Sequence, residues 1–226
     1  MDAPAALMPF YVFALTDTAP VGPAGRGLGA SLAFRPVAGA FAAVERRADV
    51  PPVELGSLRS HQRVVEQLAA RVPAILPVRF GTLLTSDEIG EALDERDDEL
   101  AEAFELVRGR QQLTWRTRGG TRQSAGVAPS GGREGLSGAD YLRRAHRAST
   151  PSLPKTFRRV RDAAGRLAAA ERYQPRTLTL PESLYHLVDR TRLEAYERAT
   201  QALRSRPATL IVSGPWAPYA FVPDLF

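Results

Sequence analysis

Residues 184–213 read LYHLVDRTRLEAYERATQALRSRPATLIVS. Leu184–Asp189 is rich in branched and aromatic side chains and predicts a strand. Thr191-Arg192-Leu193-Glu194 matches a capping box, in which Thr and Glu satisfy free amides at a helix start. Leu193, Tyr196, Thr200 and Leu203 recur at helical spacing and predict the inner face of that helix. Pro207 ends it, and Thr209–Ser213 predicts another strand.

Upstream, Gln111–Thr117 predicts a strand. Helical character then resumes after Pro151 and Pro154, through Phe157, Val160, Ala164 and Leu167, until Pro175 closes the stretch. The second half therefore reads strand, helix, strand, helix, strand. This order predicts an α+β domain of modified ferredoxin-like form, an α/β sandwich with one strand missing or altered. Helices would cover one sheet face and leave the other face or an edge available. Residues 118–138, polar and glycine-rich without periodicity, predict a flexible loop, and Ala139–Arg147 a helix.

The first half has its own pattern. Phe10–Leu15 predicts a strand, and Ser31–Val37 with Ala40–Arg46 a hairpin turning at Gly39. Leu58, His61, Val65, Leu68 and Val72 form one helical stripe stopped by Pro73. Ala74–Phe80 predicts a short strand whose Pro77 belongs at an edge or bulge. A helix beginning at Ser86 carries Leu93, Leu100, Phe104 and Val107 inward and ends at Gly109. The expectation is two domains, 1–110 and 111–226.

At 226 residues, 44% hydrophobic and 24% charged, the composition is that of a globular protein. No apolar stretch approaches the roughly 18–20 residues of a membrane-spanning helix. The apolar run near the start lacks a basic region before it, so no secretory signal is expected and the cytoplasm is the expected location. Cysteine is absent, which excludes disulfides and thiolate chemistry. Charge is unevenly placed: residues 1–107 carry a balance of −7, residues 108–176 one of +12, and the remainder none.

Little in this sequence points to catalysis. His61 lies in an apolar helical stripe and is expected to be a hydrogen-bonded core residue. His146 lies among arginines, and the side taken by His186 is open. Gly25–Gly29 lacks dinucleotide-binding spacing, and the acidic run Asp94–Glu99 winds around a helix rather than converging on a metal. No catalytic, cofactor or metal site is expected. The arginine-rich 141–166 segment offers an alternative, a nucleic-acid-binding surface, but no recognised nucleic-acid motif accompanies it.

Two segments carry a resemblance. His61-Gln62-Arg63-Val64-Val65-Glu66 is followed by Leu76-Pro77-Val78-Arg79-Phe80-Gly81-Thr82, and the chain closes with Gly214-Pro215-Trp216-Ala217-Pro218-Tyr219-Ala220-Phe221. Together they resemble the gas vesicle protein GvpL/GvpF family over nearly the whole chain. Ala217 and Ala220 depart from the proline and serine usual there. The resemblance implies a non-enzymatic accessory or minor structural protein that binds the hydrophobic gas vesicle shell protein and assists its assembly. Other accessory gas vesicle proteins are further implied partners; nucleic acid and membrane are not. The implied location is the cytoplasm and the gas vesicle. His61, Glu66, Arg79, Phe80, Gly81, Gly214 and Pro215 are expected as motif residues with structural roles, Arg79 pairing with a carboxylate such as Glu66. Leu210, Val212, Trp216, Tyr219 and Phe221 are the candidate partner-binding residues. The competing role for Pro215, Trp216 and Phe221 is to lock the chain terminus onto its own core.

Overall fold

Phe10–Thr16 forms β1, and all seven of its residues are buried. A strand covered on both faces needs apolar side chains at every position, which FYVFALT nearly supplies. In the computed structural model, which describes residues 8–94, 96–117, 153–178, 180–204 and 210–226, β1 is the axis of the first of two antiparallel sheets. The hairpin of β2 (Ala33–Val37) and β3 (Ala40–Arg46) pairs along one side of β1. Its turn at Ala38 and Gly39 takes positive φ at both residues, 44° and 68°, the geometry that matches strand twist in a two-residue connection. Short strands β4 (Ile75–Pro77) and β5 (Leu83–Leu84) share the other side of β1. Pro77 thus sits at a sheet edge, as expected.

A register shift between Val12 and Ala14 decides which side chains face which way. Tyr11, Phe13 and Ala14 fall on one face, under Val64, Val65 and Leu68 of α1 (Leu55–Ala69). Phe10, Val12 and Leu15 fall on the other, against α2 (Ser86–Leu93) and α3 (Asp97–Val107). The predicted α1 stripe is buried except at Leu58, which is 39% exposed. The single helix expected from Ser86 is two. The break places Asp97, Asp98 and Glu99 in the first turn of α3, where unpaired backbone amides favour negative charge.

The second sheet runs in the order β7 (Ala168–Gln174), β8 (Ser183–Asp189), β6 (Arg110–Thr117), β9 (Leu210–Trp216). Helices α4 (Lys155–Ala164) and α5 (Leu193–Arg204) cover one face, burying Leu113, Trp115, Phe157, Val160, Leu184 and Tyr196. The expected helix up to Pro175 is corrected: α4 stops at Ala164 and AAAERYQ is β7, giving the order β-α-β-β-α-β. Alanine favours helix locally, so the pairing with β8 is what makes this segment a strand. The expected capping box is also absent. Asp189 instead accepts from the Thr191 amide at 2.8 Å, closing a 3₁₀ turn before α5, while Glu194 accepts from Arg198 at 3.2 Å. The predicted loop 118–138 and helix 139–147, with His146, lie outside the described residues.

One buried carboxylate shapes the first half and had no sequence signal. Glu45 on β3 is 1% exposed and accepts from the amides of Leu28, Gly29 and Ala30 at 2.5, 3.0 and 3.1 Å, and from Arg47 at 3.1 Å. A Cβ on Gly27 would stand 1.9 Å from that carboxylate, so a side chain there would push Glu45 out of its bonded position. Removing the acceptor strands three amides. Glu45→Ala is expected to cost about 2–3 kcal/mol in urea unfolding at neutral pH, and a change below about 0.5 kcal/mol contradicts the assignment.

Candidate functional site

The two motif segments, far apart in sequence, meet at the α1 side of β1. His61 is 3% exposed, stacked on Phe13 with ring centroids 5.5 Å apart and edge-on to Phe80 at 5.7 Å. The Gly81 amide donates to the Tyr11 hydroxyl at 3.2 Å, which leaves that hydroxyl to donate to His61 Nδ1 at 2.9 Å. The imidazole proton therefore sits on Nε2, which is turned toward the Val78 backbone without a hydrogen bond of ordinary geometry. Burial pushes the imidazole down to about 4. The expected core role of His61 is what its surroundings provide. Phe80 walls the ring, and Gly81, at φ 96°, makes the turn that lets its amide reach Tyr11.

The closing motif packs onto the same place. Ala217 joins the core of Tyr11, Phe13 and α1, and Tyr219 packs against it with a buried hydroxyl. Phe221 and Leu225 enter the opposite core, beside Leu100, Phe104 and Leu187. The segment is bonded to both sheets. Ala220 N donates to Gln112 Oε1 at 2.7 Å, and Arg96 donates to the Asp224 carbonyl at 3.1 Å. Gly214 lies at the register shift between β6 and β9, with φ 113° and a cis peptide to Pro215. A Cβ there would come 2.7 Å from the Gln112 carbonyl.

Arg79 is a correction. Val78 is buried, its amide donating to the Phe13 carbonyl at 2.9 Å, and the next side chain therefore turns outward. Arg79 is 79% exposed and meets Asp224 at 3.4 Å, whereas Glu66 accepts from Gln62 at 3.0 Å. His61, Glu66 and Arg79 do not converge.

The partner-binding candidates separate by strand parity. Leu210 is 3% exposed behind β9, Val212 packs toward the same helix-covered core, and Phe221 is 9% exposed in the other core. Trp216 is half-buried on the opposite sheet face, where it and Tyr219 line a groove of about 900 Å³. Ile211, which sequence reasoning passed over, is 44% exposed on that face. The missing signal was the register shift at Gly214, which sets the side that Trp216 takes.

His186 belongs to a second buried chain of hydrogen bonds. Trp115 Nε1 donates to the Tyr196 hydroxyl at 2.8 Å, Tyr196 to His186 Nδ1 at 2.7 Å, and His186 Nε2 to Glu171 at 2.9 Å. Burial holds the imidazole below its ordinary value, against the pull of Glu171. Burial raises the Glu171 carboxyl, but hydrogen bonds from Arg161 and His186 outweigh it and leave the group below its ordinary value. The chain fastens both helices to the sheet.

Two measurements check these assignments. Between pH 6.5 and about 4 the unfolded chain takes a proton at His61 that the folded chain refuses. The stability this residue supplies is complete above pH 6.5 and disappears as pH falls through about 4, a loss of about 3 kcal/mol. His61→Gln is expected to flatten the fall in unfolding free energy over that window; an unchanged slope contradicts it. Gly214→Ala is expected to destabilise by about 1–3 kcal/mol in thermal unfolding, through its positive φ and the carbonyl it would meet.

The fold is similar to that of the gas vesicle protein GvpF from Anabaena sp. PCC7120, with a TM-score of 0.67 and 15% identity over 96% of this chain and 98% of that one. GvpF from Microcystis aeruginosa matches with a TM-score of 0.67 and 12% identity over 95% and 98%. No curated protein sequence matches the chain. Residues 9–223 match the gas vesicle synthesis protein GvpL/GvpF family, a span that includes every motif residue described above. The chain belongs to the GvpL/GvpF family of gas vesicle synthesis proteins.

Proposed function

We propose that this protein is an accessory of gas vesicle assembly that binds the hydrophobic shell protein and shelters it, in the manner of a chaperone, until it is incorporated. The observation that carries the reading is the outer edge of β9. Among the described residues β9 pairs only with β6, and it brings the exposed Ile211 and half-buried Trp216 to the open side of the sheet. A shell subunit built to polymerise exposes apolar surface and unpaired strand backbone before assembly. Adding one of its strands to β9 satisfies that backbone, and Ile211 and Trp216 cover apolar side chains beside it. Leu210, Val212 and Phe221 then hold the strand and the closing segment in position from within. The role needs no reacting group, and it sets the protein in the cytoplasm at the growing gas vesicle, alongside other accessory proteins.

The β-α-β-β-α-β order supports taking residues 111–226 as a modified ferredoxin-like domain and 1–110 as its companion, with the last ten residues reaching back as an arm.

Co-expression with a gas vesicle shell protein tests the reading. The shell protein is expected to stay soluble and to co-purify with the wild-type chain. Ile211→Asp, which places a charge on the strand edge, is expected to abolish co-purification with an unchanged melting temperature. Trp216→Ala is expected to weaken it in the same way, whereas unfolding of that variant assigns Trp216 to locking the terminus. A shell protein that aggregates regardless of this chain overturns the proposal.

A further inference from the structure

The sheet face turned away from α4 and α5 carries a charge pattern that an apolar shell strand does not use. Along one row of the ladder Arg172 stands opposite Tyr185, Tyr185 opposite Thr114, and Thr114 opposite Ser213. In the next row Arg116 stands between Ser183 and Ile211. Arg172 and Arg116 lie two strands and one row apart, roughly 12 Å between their backbones, on the same side of the sheet. Both are exposed, and their described bonds go to neutral groups: Arg172 to the Ala220 carbonyl at 2.6 Å, Arg116 to Ser183 Oγ at 3.3 Å. Arg79 reaches the same groove from the first sheet, and its contact with Asp224 joins two exposed groups, a pairing of little strength. Among the described residues no carboxylate lines this groove of about 900 Å³.

Three guanidinium groups beside Tyr185 and Trp216 form a surface with charged donors in excess. A guanidinium binds a carboxylate through two parallel hydrogen bonds, and the aromatic rings cover the peptide that carries it. We infer that this groove docks an acidic polypeptide segment of a partner protein, its carboxylates held by Arg79, Arg116 and Arg172. The occupant is a polypeptide rather than a nucleic acid because of what adjoins the groove. The neighbouring cavity, which shares Arg79, Arg172 and Tyr219 with it, is lined by Glu99, Glu102 and Asp224. A strand of unbroken phosphate charge leaving the groove on that side meets carboxylates, whereas a peptide changes charge from residue to residue. The groove shares Trp216 with the β9 edge, but its three guanidinium groups lie outside that edge, and the inference does not depend on the shell protein occupying it.

The test is fluorescence anisotropy of the full-length chain with a fluorescein-labelled Glu-Tyr-Glu-Tyr-Glu-Tyr peptide, with a Lys-Tyr peptide of the same length and with single-stranded oligothymidine. Saturable binding of the acidic peptide is expected, with none of the basic one. It is expected to weaken by about tenfold or more for each of Arg116→Gln and Arg172→Gln, and to vanish in the double variant R116E/R172E. Unchanged melting temperatures of the Gln variants separate lost contacts from lost folding. No saturable binding, binding indifferent to these substitutions, or tighter binding of oligothymidine overturns the inference. The probe contains no shell-protein sequence, so its failure leaves shell capture standing, and failed shell capture leaves the groove standing.

Discussion

The last ten residues occupy the seam between the two sheets, and the arrangement of the rest depends on them. Ala217 enters the core beneath α1, and Phe221 and Leu225 the core beside α3, so one short segment contributes to both faces of the first sheet. The same segment is tied to the second sheet through Gln112 and Arg172. Burying apolar side chains supplies the attraction, at about 25 cal/mol per Å² of apolar area, and the hydrogen bonds supply direction. Arg190 adds a second tie, donating at 2.7 Å to the Ala69 carbonyl at the end of α1, where a positive charge is favoured by the unpaired carbonyls.

Strand parity then determines what each surface presents. Along β6, Leu113 and Trp115 face the helices while Gln112, Thr114 and Arg116 face away. The helix-covered face is closed and, apart from the chain through Tyr196, His186 and Glu171, apolar. The opposite face is partly covered by the first half of the chain, through Leu187 and Tyr185, and elsewhere open, polar and cationic. The register shift at Gly214 places Trp216 on this open face beside Tyr219.

The buried polar groups secure these surfaces. Glu45 holds a loop, His61 joins β1 to α1 through Tyr11, and His186 links Trp115, Tyr196 and Glu171. A buried polar atom left unpaired is costly, so each chain of hydrogen bonds favours one arrangement of its elements over nearby alternatives.

Local periodicity determined most elements by itself. The largely apolar β1, the hairpin turning at Gly39, the stripe of α1 and the helix carrying Tyr196 and Thr200 each follow from side-chain spacing along a few turns or strand steps. The resemblance to the family was legible as well, because each of its motifs is an unbroken run of residues. The remainder was decided by contacts between distant residues. Ala168–Gln174 is helical by composition and a strand only because β8 pairs with it. Arg79 lies next to a buried valine, and the alternation at Val78 sends it to Asp224 rather than Glu66. Of the candidate partner-binding residues, Leu210 and Val212 turn inward because helices cover that face of β9, Phe221 is buried because the closing segment folds back between the sheets, and the cationic groove exists only where Arg79, Arg116 and Arg172 converge from separate strands and loops. Propensity and spacing act over neighbouring residues, whereas burial and pairing are settled by which distant surfaces come together, and that information resides in the packed structure.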